Sequence, residues 1–130
     1  MGLPAAKQGD QIVGVCTHTV MVPSPGGPVP TPLPHPFSGI LNGNLSTNVK
    51  IGGMPAATVG STADNTPPHI PTPPGTAFAA PPTNKANITM GSMTVMINNK
   101  PAARMGDMAA TCSEIPVPAN VIAAGNVMIG

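Results

Sequence analysis

Pro4-Ala5-Ala6 opens the pattern that decides the fold, because the same tripeptide recurs at residues 55–57 and 101–103. The three copies are nearly evenly spaced, and a glycine follows each of them at the same offset. Such a repeat is typical of a structure built from equivalent units that bury a core only together. The sequence therefore predicts a single domain over residues 1–130, formed by three internal repeats whose motifs start near residues 4, 55 and 101.

A short lead-in precedes two of the three motifs. Val49-Lys50-Ile51 stands before the second and Val95-Met96-Ile97 before the third, whereas no similar stretch precedes the first. Val127-Met128-Ile129 has the same form and comes after all three motifs. We therefore expect this last segment to lie beside the first motif, which would close the repeats around a pseudo-threefold axis.

The third motif stands in the most specific surroundings. The stretch Lys100-Pro101-Ala102-Ala103-Arg104-Met105-Gly106-Asp107, with residues 88–92 and 95–98 upstream, resembles the PAAR-repeat proteins. These proteins form the sharpened tips of bacterial type VI secretion spikes and related contractile injection machines. Lys7 and Thr58 stand where the first two copies would carry the namesake arginine, so the likeness is to a PAAR-like branch. It extends from Pro4 to Gly130.

Composition favours an ordered protein that binds neither nucleic acid nor membranes. Hydrophobic residues make up 41% of the chain and charged residues 7%, although there are 19 prolines and 15 glycines. Disordered chains are typically charged and poor in aliphatic residues. The net charge of +1 provides no basic patch for nucleic acid or anionic lipid,. No stretch approaches the roughly 20 apolar residues that span a bilayer, so we expect no stable membrane insertion.

Cysteine usage and the first residues bear on the compartment. Residues 1–10 lack the apolar run of a secretory signal, so we expect synthesis and assembly in the cytoplasm,. The resemblance implies later export on the spike by the injection machine. Cys16 and Cys112 then indicate metal binding or burial rather than a disulfide framework,.

Short strands fit the sequence better than helices. Residues 11–22 form the longest run rich in β-branched residues, and residues 88–97 indicate two short strands around a Gly91-Ser92 turn,. The proline-dense segments 23–36 and 67–82 are expected to be stiff surface loops, because proline fixes φ and donates no backbone hydrogen bond. The predicted fold is therefore all-β: a small cone of short strands and hairpins around a pseudo-threefold axis, with proline-rich loops and almost no helix.

Three histidines and one cysteine are candidate metal ligands. His18 and His69 follow the first and second motifs at the same distance, and Cys112 lies close to the equivalent place after the third. A threefold arrangement would bring these side chains together near its axis. His35 lies in one of the proline-dense segments and can complete a tetrahedral set. Three imidazole nitrogens and one thiolate suit zinc.

The resemblance implies the same four ligands, since PAAR tips bind one zinc near the apex through three histidines and one cysteine. His18 and Cys112 correspond best to the family pattern. Cys16 remains an alternative ligand, because it precedes His18 by two residues and a strand would place both side chains on one face. Its other interpretation is a buried small hydrophobic residue.

Nothing in the sequence favours catalysis. A zinc enclosed by four protein ligands has no position left for water or substrate. Asp10 and Asp107 occupy the same offset after their motifs, with Ser61 at that place in the middle copy, which indicates a role in turns,. We therefore expect one structural zinc and no enzymatic activity.

The repeat and the resemblance together indicate a mechanical function. We expect one copy, monomeric when free, to cap the blunt end of a trimeric VgrG-type spike and to form a zinc-stabilised point that pierces an envelope. Two alternatives remain open. The chain could be an adaptor that docks separate effector cargo on the same spike, or a zinc hydrolase, which would need an open coordination position and a general base.

Overall fold

The computed structural model describes residues 2–115 and 117–129, and over these residues the protein is all-β, which confirms the predicted fold class. None of the described residues lies in a helix, so none forms a helix long and apolar enough to cross a membrane. The strands are Leu3–Pro4 (β1), Gln11–Val22 (β2), Val29–Gly43 (β3), Lys50–Ile51 (β4), Met54–Pro55 (β5), Thr62–Asn65 (β6), Ala77–Phe78 (β7), Lys85–Ile88 (β8), Met96–Ile97 (β9), Lys100–Pro101 (β10), Met108–Ala110 (β11), Ala119–Ile122 (β12) and Met128–Ile129 (β13).

A closed ring of backbone hydrogen bonds joins the three Pro-Ala-Ala motifs. The N–H of Ala6 donates to the carbonyl of Ala103 at 2.9 Å, that of Ala57 to Ala6 at 3.0 Å, and that of Ala103 to Ala57 at 3.0 Å. Each motif thus donates to one neighbour and accepts from the other. We call this feature the alanine ring; it relates the three repeats by a pseudo-threefold axis.

The two alanines of each motif face opposite sides of the alanine ring. Ala6, Ala57 and Ala103 are fully buried in the larger hydrophobic cluster, here called the upper core, together with Ile12, Phe37, Leu41, Ile88 and Val121. The preceding alanines are buried in a second cluster, the lower core, which consists of Ala5, Ile51, Ala56, Ile97, Ala102 and Ile129. Neighbouring residues of an extended chain point to opposite faces, so one short motif serves both cores.

The end of the chain completes the first repeat, as the sequence predicts. β1 pairs antiparallel with β13 in the register Leu3↔Ile129, and the N–H of Ala5 donates to the carbonyl of Val127 at 2.9 Å. The same bond occurs at 3.0 Å from Ala56 to Val49 and from Ala102 to Val95. The pairs β1–β13, β4–β5 and β9–β10 are therefore equivalent hairpin-like units around the axis, and we call them the base hairpins.

A tight turn follows each motif. The backbone N–H groups of Lys7 and Arg104 donate to carboxylate oxygens of Asp10 and Asp107, and that of Thr58 donates to the hydroxyl of Ser61. The glycines within these turns have φ values of 92°, 94° and 86°, a region that side chains disfavour,. The predicted turn role of the two aspartates and of the serine is confirmed.

The largest sheet closes on itself. Antiparallel pairings join β2, β3, β6, β8, β11 and β12 in that order, and β12 pairs again with β2 in the register Val121↔Ile12. β7 adds to β2 farther along, in the register Val20↔Phe78. In the closed part of this sheet the strand edges are covered, and this part surrounds the upper core.

β2 and β3 form the longest hairpin, with an unbroken register from Gln11↔Ile40 to Val22↔Val29. The predicted strand over residues 11–22 is confirmed with the same bounds as β2. The prediction of a proline-rich loop over residues 23–36 is wrong for residues 29–36, which belong to β3.

The spacing of the prolines explains why β3 tolerates them. Pro30, Pro32, Pro34 and Pro36 occupy every second position, and alternate residues of an antiparallel strand direct their N–H groups to opposite sides,. The carbonyl of Pro34 accepts from the hydroxyl of Thr72 at 2.9 Å, so these positions face away from β2. The prolines therefore lie on the outer edge of the hairpin and cost it no ladder hydrogen bond.

The second proline-dense segment, residues 67–82, is irregular except for β7, so its prediction as a loop is largely confirmed. The two strands predicted around Gly91-Ser92 do not pair with each other. β8 ends at Ile88 and pairs with β6 and β11, whereas β9 begins only at Met96 and pairs with β10. Residues 89–95 pass from the upper to the lower side of the alanine ring, which a tight hairpin could not do.

Candidate metal centre

Four segments of the chain bring three histidines and two cysteines together. β2 supplies Cys16 and His18, β3 supplies His35, the proline-rich loop supplies His69, and the segment after β11 supplies Cys112. In the β2–β3 register Cys16 lies opposite His35, so both strands direct ligand-type side chains to the same place. Cys16, His18 and His35 are buried, with exposed fractions of 0%, 1% and 1%.

The three imidazole rings surround one point. Ring centroids are 5.4 Å apart for His18 and His35, 4.9 Å for His18 and His69, and 5.6 Å for His35 and His69. Three imidazoles bound to one tetrahedral ion through nitrogens about 2.0 Å away would have centroids about 5 Å apart. By distance alone, the three rings could therefore surround one ion.

The tightest group of ligand atoms combines two histidines with both cysteines. One ligand atom from each of Cys16, His18, His69 and Cys112 lies within 4.8 Å of the others. Within this group the Sγ of Cys112 is 3.4 Å from Nε2 of His18 and 3.7 Å from the Sγ of Cys16. Such a Cys2His2 group could hold one metal ion.

His35 differs from the other histidines because the backbone occupies both of its ring nitrogens. Its Nε2 accepts a hydrogen bond from the N–H of Thr72 at 3.1 Å, and its Nδ1 lies 2.9 Å from the carbonyl of Leu33. Nε2 is thus unprotonated, and Nδ1 carries the ring proton and donates a hydrogen bond to the carbonyl of Leu33,. Of the four predicted ligands, the structure brings His18, His69 and Cys112 into one group and leaves His35 beside it, tying β3 to the proline-rich loop.

The chemistry of these residues fits a metal ion. Nε2 of His69 is buried and has no hydrogen-bond partner, and it is the only such side-chain nitrogen or oxygen in the described part of the chain. A buried lone pair without a partner is costly unless a ligand meets it. Burial, with contributions from the neighbouring His18 and His35, lowers the pKa of His69 to about 4, so its imidazole is neutral at pH 7. Neutral imidazole is the form that binds metals.

Electrostatics at His18 and Cys16 follow from the same burial. The pKa of His18 is lowered, first by burial and then by His35, while Glu114 acts in the opposite direction. Burial raises the pKa of the Cys16 thiol to about 11, so this side chain is a neutral thiol when no cation is near. His18 and Cys16 are therefore neutral near pH 7, which lowers the cost of burying them.

Glu114 supports His18, a role that sequence reasoning missed; the one available signal was its position two residues after Cys112. Oε2 of Glu114 lies 3.6 Å from Nδ1 of His18 and accepts from the N–H of Thr19 at 2.9 Å. Hydrogen bonds from the backbone and side chain of Thr19 hold the pKa of Glu114 below its usual value. A carboxylate at Nδ1 orients the ring so that Nε2 faces the ligand group, an arrangement common behind metal-bound histidines.

Comparison with known proteins gives one family. A family model described as the PAAR motif matches residues 19–112 and 78–130, which together cover most of the chain. No curated protein shows significant similarity to the sequence.

Proposed function

Because the chain belongs to the PAAR-motif family, we propose that it is a structural spike-tip protein of a type VI secretion system or related contractile injection machine. Proteins with this motif are structural spike components rather than enzymes, and the metal centre described above has the character of a structural site. We propose that one copy caps the blunt end of a trimeric VgrG-type spike, and that the opposite end forms the piercing point.

The observation that carries this proposal is the alanine ring with its three base hairpins. Equivalent hydrogen bonds recur in all three repeats within 0.1 Å, at 2.9 Å, 3.0 Å and 3.0 Å. A single chain therefore presents three similar surfaces around one axis, which suits the end of a trimer whose subunits are related in the same way. One such chain, not three, matches one trimer.

The side chains of the base hairpins favour a protein partner. Leu3, Met54, Met96 and Met128 lie on these hairpins and are 38% to 60% exposed. Their strand neighbours Ile51, Ile97 and Ile129 point inward to the lower core. Apolar side chains that recur at one end of a molecule are typical of a surface that a partner covers.

For the point, we propose one structural zinc bound by His18, His35, His69 and Cys112. The similar separations of the three imidazole rings, 4.9 to 5.6 Å, support this set. To bind the ion, Nε2 of His35 would give up its hydrogen bond from the N–H of Thr72. Bound there, the metal would add a closed crosslink without open coordination positions. The four side chains would then hold β2, β3, the proline-rich loop and the segment after β11 against one another.

The metal centre and the base hairpins lie on opposite sides of the alanine ring. Cys16 belongs to the upper core and Cys112 packs against it, whereas the hairpins enclose the lower core. This arrangement supports a division between a docking end and a stiffened point. We propose that such a protein is assembled in the cytoplasm and leaves the cell on the spike.

Native mass spectrometry with the trimeric spike protein encoded beside this chain tests the proposal. We expect one copy per trimer. Met96→Glu and Met128→Glu, on two base hairpins, should weaken binding, whereas Val29→Glu should not, because Val29 is similarly exposed at the far end of the β2–β3 hairpin. Three copies per trimer, or no binding, would contradict the capping model.

A further inference from the structure

The two cysteines form a thiol pair that the proposed function does not fully use. Both are free, and their Sγ atoms are 3.7 Å apart although they are 96 residues apart in sequence. In the zinc site proposed above, Cys112 is a ligand and Cys16 is not. Two thiols this close can be oxidised to a disulfide, whether or not Cys16 ever binds the metal.

Contacts on both sides of the pair hold its two segments together. Cys16 Sγ lies 3.1 Å from the hydroxyl of Thr111, the N–H of Thr17 donates to the hydroxyl of Ser113 at 2.8 Å, and the N–H of Glu114 donates to the carbonyl of Thr17 at 2.9 Å. Residues 111–114 therefore run directly alongside β2. A disulfide requires sulfurs about 2.05 Å apart on neighbouring backbones, so side-chain rotation can supply most of the remaining approach.

We propose that Cys16 and Cys112 are an oxidation site, at which a hydroperoxide converts the metal-free protein to an intramolecular disulfide that excludes the metal. The exclusion, but not the disulfide itself, rests on the proposed zinc site. A sulfur engaged in a disulfide is no longer a thiolate ligand, so the protein holds either the metal or the crosslink.

The reaction balances with the hydroperoxide as the two-electron oxidant. Cys112, which is more exposed than the fully buried Cys16, attacks the peroxide as its thiolate; an S–O bond forms, the O–O bond breaks and an alcohol or water leaves,. The sulfur of Cys16 then attacks the resulting sulfenic acid; the S–S bond forms, the S–O bond breaks and water leaves. Both sulfurs are oxidised, the peroxide is reduced, and the two thiol protons end on the departing oxygens.

The crosslink would join segments that the metal also joins. Cys16 lies on β2 and Cys112 follows β11, so the disulfide ties the β2–β3 hairpin to the third repeat. Under reducing conditions the thiols are available to the metal, and under oxidising conditions the covalent bond takes over one of its connections. Either the metal or the disulfide can thus join β2 to the segment after β11.

Oxidation of the full chain, freed of metal with a chelator, tests the proposal. After brief treatment with hydrogen peroxide, intact mass under denaturing conditions should fall by two hydrogen atoms, both thiols should be lost, and peptide mapping should join residue 16 to residue 112. Cys16→Ser, a near-isosteric change, should form no disulfide and should instead accumulate sulfenic acid at Cys112 that dimedone traps. Zinc added before the peroxide should protect both thiols in the wild type.

Disulfide-linked dimers, or thiols that remain free in the metal-free wild type, would overturn the proposed disulfide. Peroxide that oxidises the zinc-loaded protein while zinc stays bound would overturn the exclusion. Metal content before oxidation and spike stoichiometry are measured separately. A chain that never binds zinc yet forms the disulfide would therefore refute the zinc site and leave the oxidation site standing.

Discussion

The alanine ring and the metal centre are built in opposite ways by the same chain. In the ring, each repeat supplies the same residues and makes the same bonds, which differ by no more than 0.1 Å. At the metal centre, the first repeat supplies Cys16, His18 and His35, whereas the second and third supply only His69 and Cys112. The base is symmetric because the sequence repeats there.

A pseudo-symmetric fold can thus contain a site that occurs only once. Repeated residues can form only a symmetric arrangement around the axis. A site that occurs once therefore needs residues that the repeat does not share. Here these residues lie mainly on the β2–β3 hairpin, whose strands are 12 and 15 residues long.

The largest effect should follow loss of the metal, because structural zinc in peptides contributes roughly 10 to 16 kcal/mol of apparent binding free energy at pH 7. We expect one zinc per chain. His18→Ala, His35→Ala, His69→Ala and Cys112→Ala should each release it, and Cys16→Ala should retain it. Elemental analysis of the purified variants measures the stoichiometry.

Hydrogen exchange of the same variants should locate the damage. Protection should fall around residues 69–72 and 111–114 and persist at the amides of Ala6, Ala57 and Ala103, whose bonds lie within the alanine ring,. Loss of zinc in Cys16→Ala together with its retention in His35→Ala would assign the fourth ligand to the Cys2His2 group instead. Loss of protection in the ring would show that the two regions are not separable.

Deletion of residues 126–130 should have the next largest effect. It removes Ile129, 6% exposed, from the lower core and leaves the N–H of Ala5 without its partner. Loss of a buried Ile side chain alone costs about 2 to 5 kcal/mol. Urea unfolding of the metal-bound protein measures the change. Met128→Ala, at an exposed position of the same strand, serves as the control and should change stability by less than about 1 kcal/mol. An unchanged unfolding midpoint after the deletion would contradict the closed arrangement.

A smaller loss is expected from Ala103→Leu. The side chain of Ala103 is fully buried beside the axis, and extra methylene groups in a packed core typically cost about 1 to 3 kcal/mol,. Ala110→Leu makes the same change at an exposed position of β11 and should stay within about 0.5 kcal/mol,. Equal unfolding free energies for the two variants would mean that the core around Ala103 can accommodate the larger side chain.

The smallest effect should be that of mild acid on the metal-free protein. Burial and the neighbouring histidines lower the folded-state pKa of His69 to about 4, below its ordinary value of 6.5, so the unfolded chain binds more protons between these values. The contribution of this group is complete above about pH 6.5 and is lost as pH falls towards 4. Thermal melts of wild type and His69→Ala across this range should differ in slope, with the wild type steeper. Parallel curves would show that His69 does not contribute to the pH dependence of stability.

Much of the symmetric region could be predicted from the sequence, because repeated residues must occupy repeated environments. The pairing of Leu3 with Ile129 followed from a lead-in shared by three segments, and the turn role of Asp10 and Asp107 followed from their common offset. The bounds of β2 followed from a run rich in β-branched residues. Each of these inferences used a local pattern that tertiary packing did not override.

The asymmetric region was harder to predict, because it depends on which neighbour a backbone group faces. Prolines at alternate positions were interpreted as loop-forming, although their missing donors point away from β2 and cost the hairpin nothing. The contacts of His35 with Thr72 and of His18 with Glu114 join segments distant in sequence that no repeat relates. The symmetry of the repeats predicted that the ligand residues would lie close together. It did not predict that both ring nitrogens of His35 would form hydrogen bonds with the backbone.

The outer edge of β3 also bears on self-association. Because proline occupies positions 30, 32, 34 and 36, this edge offers carbonyl groups but no N–H donors along its proline-bearing length,. An approaching strand from a second molecule would find only half of the partners that a β-ladder requires. The longest hairpin of the protein thus has an outer edge that is a poor template for fibre-like growth.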